Sequence, residues 1–380
     1  MVIGTPHGAA SQRFASLDIF RGLTIFFMIV VNTAGPGAPA FRQLVHAPWI
    51  GFTAADLVFP SFLFAVGTAM SFSFRRATTN RAFLVRVLRR AALIFVLGYL
   101  MYWFPFVTHQ PDGSWAAKPF SQTRIPGVLQ RIALCYLFGA IAIRWLKDSR
   151  ALLSLSVLLL LVYWAILLVF GAPGEAYSKF GNAGTLLDLR LIGPDHLYKK
   201  DHGFDPEGLL GTLPAVVNLL VGYLVGRAVQ ASADKAALVR RLVAIGCLLV
   251  LAGLAWSPFF PIAKKLWTGS YVLLTVGIDV VLLGVLMEVS DVRGLSMGRG
   301  FWLVLGRNPL VIYLFSELFV TALNLFPVGG QSSVYDWVGI ELFQRVAPGA
   351  LGSLLCAIAY ALVCWGVGWL LDRKGIIVKV

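Results

Sequence analysis

Ten apolar runs, each near the length needed to cross a hydrocarbon core, decide the fold before any motif is considered. They lie near 17–34, 52–72, 91–106, 126–143, 151–170, 208–227, 241–257, 269–287, 302–322 and 350–371. A membrane-spanning helix needs about 20 apolar residues. The runs are continuous rather than alternating, which excludes a transmembrane barrel. Only 13% of the 380 residues are charged and the mean hydropathy is +0.79, whereas a soluble domain carries about 25% charge. The expected fold is therefore all-α: a polytopic integral membrane helical bundle of about ten transmembrane helices, forming a single domain over residues 1–380. The third run is short and ends in aromatic residues. The stretch 335–346 reads as a re-entrant or interfacial helix.

The net charge of +14 does not point to nucleic acid, because the cations lie between apolar runs and follow membrane topology. Of the 32 Lys and Arg, 20 fall on the side of the N-terminus and 10 on the other, with Arg131 and Arg307 inside runs. The richer side is expected to be cytoplasmic. Both termini are then inside, and the loops 34–51, 107–125, 171–207, 258–268 and 323–349 face outward. The first run lacks a small-residue cleavage site and reads as an uncleaved helix. Cys135, Cys247, Cys356 and Cys364 all lie in apolar runs and read as small apolar fillers rather than disulfide or metal ligands. No metal site is expected.

Polar groups inside the runs ask for a reason, since an uncompensated charge at mid-span costs roughly 2.5–3.5 kcal/mol on insertion scales. Asn32 ends run 1, and Asp56 lies about one turn into run 2. Arg131 is about 7–8 Å into run 4 at 1.5 Å per residue. Asn218 and Asp279 sit near the middle of runs 6 and 8, and Glu317 in the outer half of run 9. Such groups serve as helix–helix glue or line a polar cavity. Their grouping in one half of the bilayer favours a cavity that opens outward.

His46, in Val45-His46-Ala47-Pro48-Trp49, is the candidate reacting group. A loop histidine is usually an ordinary surface residue, but this one joins two spans at the membrane surface. Apolar neighbours there depress its pKa and keep it neutral, as a base or nucleophile requires. Asp56 is close enough in sequence to orient the ring. Asn32 is placed to donate to a developing oxyanion. Arg124 and Arg131, seven residues apart, are expected on one helix face. Arg131, being deeper, needs an acidic partner or an anionic ligand. Asp205-Pro206-Glu207-Gly208 reads as the opening of a helix, with Asp at the N-cap and Pro at the first position. Arg307-Asn308 lies near the cytoplasmic start of run 9, where it meets an anionic cosubstrate or snorkels to the interface. The arginines from Arg75 to Arg90 set topology and meet phosphates. The chain has no Walker A motif, GxSxG elbow, HExxH or paired-Cys site. ATP-driven pumping, serine esterase chemistry and zinc chemistry are therefore not expected.

Several stretches, in this order, resemble the heparan-alpha-glucosaminide N-acetyltransferase family of transmembrane acetyltransferases, which includes bacterial proteins of N-acetylglucosamine-use operons. They are Ser16-Leu17-Asp18-Ile19-Phe20-Arg21-Gly22, His46-Ala47-Pro48-Trp49-Ile50-Gly51, Asp56-Leu57-Val58-Phe59-Pro60 and Arg124-Ile125-Pro126-Gly127-Val128-Leu129-Gln130-Arg131. Asp205-Pro206-Glu207-Gly208, Lys264-Lys265-Leu266-Trp267-Thr268-Gly269-Ser270-Tyr271 and Asn308-Pro309-Leu310-Val311-Ile312-Tyr313 complete the set. The resemblance implies acetyl transfer from cytosolic acetyl-CoA to an amino sugar across the membrane. His46 would be the catalytic residue, with Asn32 beside it and Asp56 at a matching position. Arg124 and Arg131 fall at matching positions too, and substrate contacts at Arg124, Arg131, Asp205, Glu207, Asp279 and Glu317, with coenzyme A contacts at Arg307 and Asn308, are expected from the polar residues beside the resemblance. The resemblance implies a multi-pass protein of the bacterial inner membrane and is compatible with a homodimer. Ser316 stands where the lysosomal member has a histidine, and no counterpart of that member's extra N-terminal luminal domain and first helix is expected here. Glucosamine or N-acetylglucosamine fits as acceptor, on nitrogen or on a hydroxyl. His46 either carries the acetyl group or acts as base. The competing reading is a sugar or acyl-group transporter without chemistry.

Overall fold

In the computed structural model, residues 14–74, 79–109, 114–201, 203–296, 298–330 and 333–378 are described. Arg13, Arg75, Arg76 and Lys379, all counted above, lie outside them, as does His202. The chain runs through α1 (Ala15–Asn32), α2 (Ala54–Ser73) and α3 (Asn80–Trp103), then a short antiparallel hairpin of β1 (Val107–His109) and β2 (Trp115–Ala117). Next come α4 (Val128–Trp145), α5 (Ser149–Phe170), the short α6 (Ala183–Leu191), α7 (Thr212–Ala231), α8 (Lys235–Trp256) and α9 (Gly269–Met287). The chain ends with α10 (Arg299–Arg307), α11 (Pro309–Leu323), the short α12 (Val334–Trp337) and α13 (Gln344–Val346) joined by a π-helical stretch, and α14 (Ala350–Arg373). All ten apolar runs are helical, and 334–346 is continuous helix as expected.

Among the described residues, eight helices are long and apolar enough to cross a membrane. α10 and α11 pass the same test as a pair but are bent by 80° at their junction, as in a broken span or a re-entrant loop. Pro309 explains the break: it offers no N–H, and it pushes the preceding Asn308 out of helical geometry, to φ −125° and ψ 52°. The third run is the apolar second half of α3, whose first half carries Arg81, Arg86, Arg89 and Arg90.

The layers sort by burial. In α2, 78% of the most apolar window is buried, but only 28% in α5 and α8 and 33% in α14. The α2, α7 and α9 helices therefore form the interior. The exposed leucines of α5 and α8, such as Leu158 and Leu248, suit a lipid surround.

Between membrane helices, small residues let backbones approach and so supply the packing that hydrophobicity cannot. At the α2–α7 contact the glycines are reciprocal. A Cβ on Gly67 would lie 1.9 Å from the Leu219 carbonyl oxygen, and one on Gly222 would lie 2.2 Å from that of Phe64. Gly246 of α8 and Gly277 of α9 repeat the device.

Pro60 sits inside α2 and cannot bond the carbonyl of Asp56, four residues back. Tyr271 of α9 takes its place, its hydroxyl donating to the Asp56 carbonyl at 2.6 Å. A freed carbonyl in a membrane interior must find such a partner. Tyr271→Phe should destabilise the protein by about 1–3 kcal/mol, since it strands a buried acceptor. Thermal unfolding in detergent reads this as a lower midpoint, and an unchanged midpoint would contradict it.

Candidate active site

The site is built where α1 ends and α2 begins. Thr53 caps α2, and Asp56 at its third position returns the favour, its Oδ2 accepting from the Thr53 backbone N–H at 3.0 Å. This reciprocal cap uses only one carboxylate oxygen fully. The same Oδ2 also accepts from the Ala47 N–H at 3.2 Å, which folds the preceding loop back over the helix end. Oδ1 is left for the ring of His46, 2.9 Å from Nδ1.

A second loop is clasped against the first. Gly51, at φ +122°, adopts a backbone that favours glycine. Its N–H donates to the Ile262 carbonyl at 2.8 Å, and it bridges Ala263. Trp49 Nε1 donates to the Tyr177 carbonyl at 2.9 Å, and its ring meets Phe204 edge-on at 4.9 Å. The loop after α8 thereby delivers Lys264, whose Nζ lies 2.9 Å from His46 Nε2 and 3.0 Å from Nδ1.

Asp56, accepting from backbone N–H groups, is a carboxylate and fixes the proton on Nδ1. Nε2 keeps its lone pair, and Lys264 Nζ lies over the ring about equally far from both nitrogens. Burial, aided by the Lys264 charge, lowers the His46 pKa from its ordinary 6.5 against the opposing pull of Asp56. The ring is therefore neutral at pH 7. With 38% of its side chain exposed above a fully buried Asp56, the imidazole remains reachable.

His46 and Lys264 line a cavity of about 330 Å³ together with Asn32, Arg124 and Glu207. Asn32 gives one amide N–H to Glu317 Oε1 at 3.0 Å and keeps a second. Arg124 forms a fork on Asp205, at 2.8 and 2.5 Å, and reaches Glu207 Oε2 at 2.5 Å. Its guanidinium lies over the rings of Tyr198 and Tyr102, at 4.5 and 5.0 Å. Burial alone would lower the pKa of Arg124, but the Asp205 bonds and the Glu207 charge outweigh it and raise it well above its usual value. Conversely, the charges of Arg124 and Arg131 overcome the burial of Glu207 and hold its carboxyl low.

Other expectations are displaced. Arg124 precedes α4 by four residues and shares no helix face with Arg131. Asp205 does not cap a helix: α7 starts only at Thr212, after Gly211. Asp205 instead accepts from the Glu207 N–H at 2.9 Å and holds Arg124, so the carboxylate that would cap is taken by a cation. Arg131 has no carboxylate within ion-pair distance among the described residues. It donates to the Gly208 carbonyl at 2.8 Å and stacks over Trp267 at 5.0 Å. Arg131 and Asp205 sit behind the His46 cavity, around a smaller one that also holds Asp188, whose carboxyl burial pushes up to about 6. Asp279, fully buried, meets the Ser61 hydroxyl at 2.5 Å, away from His46. Arg307 pairs with Asp372. Asn308 holds the chain end, bonding the Ile376 carbonyl and the Val378 N–H at 2.9 Å each. Among the described residues no cluster of metal-ligating side chains occurs. The sequence reading gave Lys264 no place in the site, although Lys264-Lys265 heads one of the stretches that carry the resemblance and is a cationic pair in an outward loop.

Fold and site together define a class: polytopic helical membrane proteins with a carboxylate-oriented, reachable imidazole at one end of the bundle. Within that class, residues 13–246 match the model described as "Heparan-alpha-glucosaminide N-acetyltransferase, catalytic", and the chain belongs to that family. It is 28% identical to the human and mouse proteins named heparan-alpha-glucosaminide N-acetyltransferase, over 93% of its own length. It spans 59% of the human protein and 60% of the mouse protein.

Proposed function

We propose that the chain is an acetyl-CoA-dependent transmembrane acetyltransferase, with His46 as nucleophile or general base. The acceptor is an amino sugar of the glucosamine or N-acetylglucosamine type, bound on the periplasmic side of a bacterial inner membrane. The relatives' names supply the reaction class. The observation that carries the two-sided arrangement is a pair of cavities set back to back on the same three helices. The cavity with His46 is walled by Met28 of α1, Val58 and Phe59 of α2, and Val128 of α4. A second cavity, of about 400 Å³, begins within a turn of these at Ile25, Phe62 and Leu129, and reaches Arg21, Arg90 and Arg307.

That second cavity fits coenzyme A. Its walls are mainly apolar, as a pantetheine arm needs. Its far end holds Arg90 Nε and Arg307 Nε, buried donors with no partner among the described residues. Phosphate oxygens would satisfy them. The basic end would face the cytosol, in keeping with the Lys/Arg bias. At the other end Asp56 orients the imidazole, His46 Nε2 takes the acetyl group or the acceptor's proton, and the spare Asn32 N–H points to a developing oxyanion.

Purified protein with acetyl-CoA and glucosamine should release coenzyme A and form acetylated sugar. Because protonation removes the Nε2 lone pair, the rate should fall as pH drops through the lowered His46 pKa, at some point below 6.5. Sugar uptake into vesicles without chemical change would point to a carrier and overturn the proposal.

A further inference from the structure

Lys264 is the group beside the imidazole that the acetyl-transfer reading leaves unused. Its Nζ lies 2.9 Å from His46 Nε2. It is 3.0 Å from Nδ1 as well, so the ammonium lies over the ring, beside both nitrogens, while Nδ1 is held by Asp56. A cation kept only for charge balance would sit on a carboxylate, as Lys265 does on Asp201 at 2.8 Å. Lys264 has no carboxylate within ion-pair distance among the described residues. Its backbone is held on both sides, by the Gly51–Ile262 bond and by the Trp267 N–H to its own carbonyl at 2.9 Å. The ammonium lies against the imidazole and lines the same cavity.

Resting on the acetyl-transfer reading, we propose that Lys264 is a second catalytic residue, the acid that protonates the coenzyme A sulfur as the thioester C–S bond breaks. The acceptor nitrogen forms the new bond to the acetyl carbon. The C–S electron pair leaves on sulfur and takes a proton from Lys264 Nζ, giving the free thiol. His46 Nε2 removes the proton from the acceptor nitrogen and releases it to water in the open cavity, which returns a proton to the neutral lysine. Both groups are then restored. If His46 carries the acetyl group first, Lys264 gives up the same proton in the first step and regains it from the acceptor in the second.

The surroundings suit this task. Burial lowers Lys264 to about 8, with Lys265 and Arg131 adding to the effect and Glu207 and Asp56 opposing it. An acid in that range is charged at pH 7 yet yields its proton readily, and a positioned acid of this kind contributes roughly 10²–10⁴-fold.

The test is the pH profile of acetyl transfer by the purified full chain and its Lys264 variants, from about pH 5 to 10. Wild type should show a bell, with an acid limb from His46 and an alkaline limb near 8 from Lys264. Lys264→Met should lower kcat by about 10²–10³-fold, lose the alkaline limb and keep the acid one. Lys264→Arg, charged but unable to release a proton, should do no better. In Lys264→Ala, trimethylammonium, which carries an N–H and forms no stable amide, should restore turnover, and tetramethylammonium should not. Rescue also shows that the variant is folded. Near-wild-type kcat in Lys264→Arg, equal rescue by the two cations or rescue by neither, or an alkaline limb retained in Lys264→Met would overturn the assignment. A wild type that releases no coenzyme A would instead remove the acetyl-transfer reading, and the lysine role with it.

Discussion

His46→Ala is expected to lower kcat for acetyl transfer by about 10³-fold or more, within or beyond the range for a lost general base and near complete if the ring is the nucleophile. The substitution removes the imidazole that Asp56 orients and Lys264 lies against. It should leave the fold largely intact. Asp56 keeps the Thr53 and Ala47 N–H bonds that cap α2, and the ring itself caps nothing. Affinity for acetyl-CoA should change little, because the arginines proposed to hold its phosphates line the other cavity. Turnover by the purified variant, with coenzyme A binding measured alongside, checks both halves. Near-normal turnover would refute the role of His46.

The largest structural effect is expected from Gly67→Val or Gly222→Val. Each would drive a Cβ to about 2 Å from a facing carbonyl oxygen, Leu219 for the first and Phe64 for the second. Backbone must then move, and with it the interface between the two helices that hold the centre of the bundle. Overpacking typically costs 1–3 kcal/mol, and more where backbone rather than a flexible side chain must shift. The two changes lie on one contact, so they should not be additive. Size-exclusion elution and thermal midpoint in detergent measure the outcome. A monodisperse Gly222→Val protein with an unchanged midpoint would show that α2 and α7 separate freely.

The spans were legible because lipid demands long unbroken apolar stretches and helical hydrogen bonding within each. Even α3, with arginines in its first half, shows its apolar half plainly. The His46–Asp56 pair was legible as well, since ten residues separate them and a helix start brings them together. Lys264 was not, because 218 residues lie between it and His46 and nothing local to its short outward loop ties it to that ring. Asp205-Pro206-Glu207 has the composition of a helix start. Only the fold reveals that Arg124 claims both carboxylates and Arg131 claims the Gly208 carbonyl, delaying the helix to Thr212. Asn308 looked like a cosubstrate ligand by its place beside Arg307, yet its amide is used by the chain end at Ile376 and Val378. In each miss a polar side chain was claimed by a partner far away in sequence.

The most direct measurement of the two-sided arrangement is transfer across a sealed bilayer. Vesicles containing the protein are loaded with glucosamine, and radiolabelled acetyl-CoA is added outside. Labelled acetylglucosamine should accumulate within the vesicles while free coenzyme A appears outside, and His46→Ala vesicles should accumulate none. Product formed only when both substrates share one compartment would contradict the account.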